Sequence, residues 1–289
     1  MVEMVIEARR RSLGGFEVGR VLPFMRRRMV GPFIFFDHMG PVDLPAPVPR
    51  ETDVRPHPHI GLATVTYLFR GEIMHRDSTG VTQLIKPGEV NWMTAGQGIS
   101  HSERFDTLRE SGGSLHGVQA WVALPENEEE RAPGFDHYAM SDLPSFEEAG
   151  VSGRLVAGEA YGLKSAVKTL SPLHYVHVEL AKGARFAPPT QHAESAAYIV
   201  RGDVTCEGQS YAGGAMLVFK TGEAPAIEAS NDATILFIGG EPLGERHIYW
   251  NFVSSRKDRI EQAKADWRAG RIALPSHDNA EMIPLPDDA

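Results

Sequence analysis

The chain has 289 residues, 42 % hydrophobic and 23 % charged, with a formal net charge of −9. That length suits one large or two ordinary β domains, and the acidic balance argues against direct binding to nucleic acid. The single cysteine, Cys206, excludes an intrachain disulfide and fits a reducing, cytoplasmic compartment, and no apolar run approaches the roughly 20 residues of a membrane helix.

The opening of the chain is polar and Arg-rich, and no apolar stretch follows it, so it does not read as a secretory signal. The basic triplets Arg9-Arg10-Arg11 and Arg26-Arg27-Arg28 read as solvated surface or strand-edge charge. Strand signals follow in order. Gly31 to Phe36 is apolar and aromatic, and Leu62 to Phe69 is rich in Thr, Val and Tyr. His116 to Leu124 places Val118, Ala120 and Val122 on one face, Gln119 and Trp121 on the other. Glycine turns punctuate these runs at Gly71, Gly88, Gly96, Gly98 and Gly112-Gly113.

Residues 125–150 change character. The charge run Glu126 to Arg131 and the breaks at Pro133, Gly134 and Pro144 read as a connector, exposed in part. Strand signals resume at Tyr175–Leu180, Ala196–Val200, Met216–Phe219 and Thr234–Ile238. Tyr67-Leu-Phe-Arg-Gly-Glu-Ile73 resembles Tyr198-Ile-Val-Arg-Gly-Asp-Val204, 131 positions later. As a duplication, this gives two β-barrels, over 1–130 and 131–289. Near the C-terminus Ile260, Ala263 and Trp267 repeat at helical spacing, with Ser255 as a candidate cap and Gly270 at the C′ position. The tail after Leu274 reads as irregular.

Two short clusters carry chemistry: His57-Pro58-His59, and His101-Ser102-Glu103. On an extended strand, side chains two apart share a face. Pro56 and Pro58 hold the first pair extended, and the Gly96-Gln97-Gly98 turn lets the chain reverse before the second. Two such strands in one barrel offer three imidazoles and a carboxylate, His57, His59, His101 and Glu103, to one first-row transition metal. Octahedral iron with two open positions is the favoured case. At the same offset the second half places Pro188 and Thr190 where His57 and His59 stand, and it has no counterpart of His101. The second barrel is therefore expected to hold no metal and to serve packing.

Beyond the ligands, His75 and Asp77 share a strand face from which they can orient a ligand imidazole. His116 and Gln119, three apart, cannot both face one cavity. Trp92 and Trp121 suit the core.

Three segments resemble the pirin family: Arg55-Pro-His-Pro-His-Ile-Gly-Leu-Ala-Thr-Val-Thr-Tyr-Leu68, Asn91-Trp-Met-Thr-Ala-Gly-Gln-Gly-Ile-Ser-His-Ser-Glu103 and His116-Gly-Val-Gln-Ala-Trp-Val122. Gly31 to Met39, Gly239 to Leu243 and Tyr249 to Val253 extend the likeness over nearly the whole chain. Pirins are bicupins of the cupin superfamily. The resemblance implies an all-β fold of two antiparallel, jelly-roll barrels with a C-terminal α-helix. It also implies one non-haem Fe(II) in the N-terminal barrel, on His57, His59, His101 and Glu103. One departure is Ala63, where the first cupin motif often carries Glu.

The family implies two roles. One is a quercetin 2,3-dioxygenase-like oxidoreductase that opens a flavonol-type aromatic substrate with O2, Glu103 taking the substrate proton as catalytic base. The alternative is a non-catalytic, iron-dependent regulator that binds a partner protein, a transcription cofactor or a metabolic enzyme. Arg26 to Arg28 would then lie on the contact surface.

Overall fold

A computed structural model describes residues 1–12 and 15–287. The described residues are strands joined by tight turns, with one α-helix, Lys257–Arg268. No helix among them is long and apolar enough to cross a membrane. The chain divides into two compact units that interleave in sequence. One comprises Arg11–Val18, Met39–His137 and Gly244–Ala289; the other, Met1–Arg10, Gly19–His38 and Tyr138–Leu243.

The first unit contains the two histidine clusters. Its smaller sheet runs in the order Val54–His59, Ile99–Arg104, Ile73–Asp77, Thr82–Ile85, all antiparallel. In its larger sheet, Leu62–Arg70 lies between Val90–Thr94 and Gly113–Ala123. Alternation explains the arrangement. Ile73 and Ile85 from the smaller sheet and Leu68 and Leu115 from the larger one meet in one apolar cluster with Met39, Leu44 and Phe105. His116 sits at a register shift, and Gln119 turns to accept from Thr66 Oγ1.

The helix belongs to this same unit, far along the chain from the two histidine clusters. Ile260, Ala263 and Trp267 cover Ile60 and Phe252. At its C-terminus, Gly270 has φ +67°, Gly270 N–H donates to Trp267 O, and Arg271 N–H donates to Asp266 O, the paired bonds of a Schellman motif. Its N-terminus differs from expectation. Arg256 is the N-cap, without a side-chain cap, and Ser255 instead donates from both N–H and Oγ to Glu129. Glu129 also pairs with Arg246 at 3.0 Å, both nearly inaccessible. The buried part of the charge run thus includes an ion pair.

In the second unit the larger sheet runs Val2–Glu7, Ala215–Phe219, Glu194–Arg201, Ala233–Gly240, Leu173–Leu180, Val151–Ala160, Ser145–Glu148. The smaller runs Arg185–Phe186, Ile227–Ala229, Asp203–Cys206, Gln209–Ala212. Val178, Ile199, Leu217 and Phe237 of the larger sheet pack with Val204, Cys206 and Ile227 of the smaller. The first strand of the chain therefore lies in the sheet of the second barrel. Ala215–Phe219 is buried at every position, and an apolar strand left at an edge invites non-native pairing. Val2–Glu7 covers that edge.

The internal repeat corresponds to equal geometry in the two units. Gly71 follows Leu62–Arg70 at φ +87°, and Gly202 follows Glu194–Arg201 at φ +86°. A Cβ on Gly71 would lie 2.2 Å from Ser114 O, and one on Gly202 2.5 Å from Asp232 O. Both turns need positive φ and close backbone approach, which glycine alone tolerates. Gly202→Ala should therefore destabilise the chain by about 1–3 kcal/mol in chemical denaturation.

His174 is fully buried on Leu173–Leu180, stacked on His192 with ring centroids 5.5 Å apart. Burial first, and the neighbouring His192 second, lower its pKa from the ordinary 6.5 to about 3. Between those values the unfolded chain binds the extra proton, so this contribution to stability is complete above about 6.5 and lost as pH falls towards 3. His174→Gln should flatten the fall in melting temperature across that window relative to wild type.

Candidate metal centre

The strand Val54–His59 pairs antiparallel with Ile99–Arg104 so that His57 opposes His101 and His59 opposes Ile99. Register then shifts, and Glu103 opposes Val54. The extra residue falls around Arg55 and Pro56. Proline has no N–H to give the ladder, so an irregularity there costs little. It keeps both imidazoles of the first strand on the face that carries His101.

His57, His59 and His101 converge, with one ligand nitrogen from each within 4.8 Å of the others. Ring centroids are 4.4–5.0 Å apart. His57 Nδ1 lies 2.9 Å from Arg55 O and donates to it, which leaves Nε2 a lone pair. His59 Nε2 and His101 Nε2 approach to 3.1 Å. His59 and His101 are each 1 % exposed and His57 7 %, so the cluster is most accessible at His57. The Trp121 indole packs at 5.1 Å from the His59 ring.

Desolvation keeps all three rings neutral. It lowers His57 to about 4, and it moves His59 and His101 well below their ordinary value, helped by the other imidazoles. Three neutral imidazoles sharing one small space are the donor set of a divalent first-row cation. The 3.1 Å approach of two Nε2 atoms is satisfied by the N–H of one neutral ring, or by a cation that both lone pairs face.

Glu103 shares the face of His101 but stands outside the three-histidine cluster. It retains some exposed surface, yet its carboxyl is dehydrated enough that burial alone pushes it up to about 7. A cation at the imidazoles would pull it down again. Behind His101 stand His75 and Asp77, both buried and joined by a 2.9 Å hydrogen bond. Ala63 is buried and apolar.

The opposite face of Ile99–Arg104 was not foreseen. Ser100, Ser102 and Arg104 alternate with the functional pair, and each engages the C-terminal tail. Ser100 Oγ donates to Ala273 O, Ser102 Oγ to Asp278, and Arg104 to both Asp278 oxygens and to Glu281. Ile283 N–H donates to Pro56 O, beside His57. The tail is irregular in secondary structure, but it straps the back of both histidine strands. Its sequence signal was the polar outward face of a strand otherwise buried. Asp278→Ala removes two hydrogen bonds from a guanidinium that is almost inaccessible, and should cost about 2 kcal/mol or more by chemical denaturation.

In the second unit, His192 stacks on His174, while Glu194 accepts from Gly31 N–H and pairs with Arg27. Of the basic triplets, Arg9 donates to the carbonyls of Val21 and Pro23, and Arg27 to Met29 O. They are structural donors as much as surface charge.

The chain matches the family model Pirin over residues 15–122 and the Pirin C-terminal cupin domain over 175–273. It is 57 % identical to a pirin-like protein of Caulobacter vibrioides, across 99 % of this chain and 100 % of that one. Its fold superposes on the crystal structure of a quercetin 2,3-dioxygenase from Acinetobacter baumannii with a TM-score of 0.91 and 33 % identity, covering 99 % of this chain and 95 % of that one. The Escherichia coli pirin YhhW, solved in complex with nickel(II), shares the fold at a TM-score of 0.64 and 20 % identity, over 84 % of this chain and 100 % of that one. With both barrels matched and a relative aligned almost end to end, the chain belongs to the pirin family and is a bicupin.

Proposed function

We propose that the first barrel binds one divalent iron on His57, His59 and His101 with Glu103 as fourth ligand, and that the protein acts as a quercetin 2,3-dioxygenase-like enzyme on a flavonol-type substrate. The observation that carries this reading is the convergence of three buried, neutral imidazoles on one point. The 33 % identity to a quercetin 2,3-dioxygenase across 99 % of the chain supports the substrate class.

Bound there, divalent iron supplies Lewis acidity towards a phenolic oxygen and the redox capacity that chemistry with O2 requires. The protein's own groups do the rest. The imidazoles hold the cation, and the far nitrogen of His57 is tied to the chain at Arg55 O. Glu103 receives the substrate hydroxyl proton. Trp121 walls the cluster beside His59 and keeps water away from it. The substrate approaches from the side of His57, the most accessible of the three.

The regulatory alternative uses the same four side chains without turnover. It looked to Arg26–Arg28 for a contact surface; Arg27 is committed to Glu194, Glu3 and Met29 O within its own unit, while Arg26 and Arg28 are exposed. The catalytic reading is the better supported.

Anaerobic reconstitution with Fe(II), metal quantitation and oxygen uptake with quercetin test it. Wild type should retain about one iron per chain, as one four-ligand site requires, and should consume oxygen. His101→Ala should lose both. One bound iron without uptake on any flavonol would overturn the catalytic reading and favour the regulator.

A further inference from the structure

Behind the histidine cluster lies a second pair of titratable groups that metal ligation does not use. His101 Nδ1 points away from the other two ligand histidines and lies 3.3 Å from His75 Nδ1. His75 Nε2 in turn lies 2.9 Å from Asp77 Oδ2. The other Asp77 oxygen accepts from Thr79 N–H, Thr79 Oγ1 and Val81 N–H. His75 is held in plane by stacking on Phe135, with ring centroids 4.5 Å apart and 26° between planes. The strand register explains the alignment, since Ile99–Arg104 pairs with Ile73–Asp77 so that His101 opposes Asp77 and Glu103 opposes His75.

The direction of the hydrogen bonds follows from the far end. Burial raises the Asp77 carboxyl, but donation from His75 and Thr79 outweighs it and keeps the group below its ordinary value. An ionised carboxylate only accepts. His75 Nε2 must therefore carry a proton, and in a ring with a single N–H that leaves Nδ1 as an acceptor. The donor facing it can only be His101 Nδ1–H. A neutral imidazole has one N–H, so His101 Nε2 is left with its lone pair, aimed at His59 and the centre of the cluster.

We infer that His75 and Asp77 are positioning residues, a carboxylate–imidazole relay that fixes His101 in its Nδ1–H tautomer and so prepares its Nε2 for the metal. This rests on the metal reading above but goes beyond it, because it assigns a role to two side chains that touch neither metal nor substrate. The relay also sets the ring plane of His101. Rotation about χ2 would break the bond to His75 and turn the Nε2 lone pair away from the cluster. Outer partners of this kind change metal affinity by about 10–100-fold.

Two measurements test the inference, neither of them activity. Two-bond 15N–1H correlation NMR of chelator-treated protein reads the His101 tautomer, and competition with a chelating dye reads affinity for Ni(II), an air-stable probe. Wild type should show His101 protonated at Nδ1. His75→Leu should mix the tautomers and weaken Ni(II) binding about 10–100-fold, while His75→Gln, whose amide oxygen can accept from His101, should recover most of that loss. Should His75→Leu not fold, Asp77→Asn serves instead, because its amide can also donate and should release His101 from a single tautomer.

A wild-type His101 protonated at Nε2 would overturn the inference. So would Ni(II) binding in His75→Leu as tight as wild type with only a lower melting temperature, the pattern of a packing role. If wild type shows the Nδ1–H tautomer but binds no Ni(II), the relay stands and the metal reading falls.

Discussion

The strand Ile99–Arg104 works under one geometric constraint, the two-residue period of extended backbone. Inward, the period gives His101 and Glu103; outward, Ser100, Ser102 and Arg104. No face of this strand is apolar at the positions that matter, so every side chain needs a polar partner. Inward, His101 finds His57, His59 and His75. The outward set finds the tail between Ala273 and Glu281. A one-residue slip would exchange the two sets and destroy both. The pairing of His101 with Asp77 on one side and His57 on the other fixes that register.

Electrostatics makes the inner face useful. Burial withholds the water that would stabilise imidazolium, so His57, His59 and His101 stay neutral and keep lone pairs available at physiological pH. The same dehydration leaves Glu103 reluctant to ionise. A cation resolves both tensions at once, accepting the lone pairs and compensating the carboxylate. The hydrogen bonds behind the rings then decide which nitrogen each ring presents, through Arg55 O for His57 and His75 for His101.

Much of this was legible locally. Two His-x-ligand pairs bracketed by proline and glycine carry their own geometry, and the structure brings three of the four side chains to one point. The matching turns at Gly71 and Gly202 exposed the duplication, because positive φ and a crowded Cβ leave few alternatives to glycine. The closing Gly270 of the helix was readable for the same reason. What escaped was non-local. Nothing near Val2–Glu7 announces a partner at Ala215–Phe219, and nothing near Asp278 announces Arg104, 174 residues earlier. Each compact unit also takes in a segment from the far end of the chain, which no local signal announces. The burial of Glu129 within the charge run was not legible because its partners, Arg246, Ser254 and Ser255, lie more than a hundred residues away. Ser255, expected to cap the helix, was drawn to that carboxylate instead.

The central claim is that one cation sits among these four side chains. Anomalous diffraction from a crystal soaked in Fe(II) under anaerobic conditions, or in Ni(II), tests it most directly. The account predicts a single strong peak in the first barrel, bonded to Nε2 of His57, His59 and His101 and to one Glu103 oxygen. A peak elsewhere, or one bound through Nδ1 of His101 with Glu103 turned away, would contradict it.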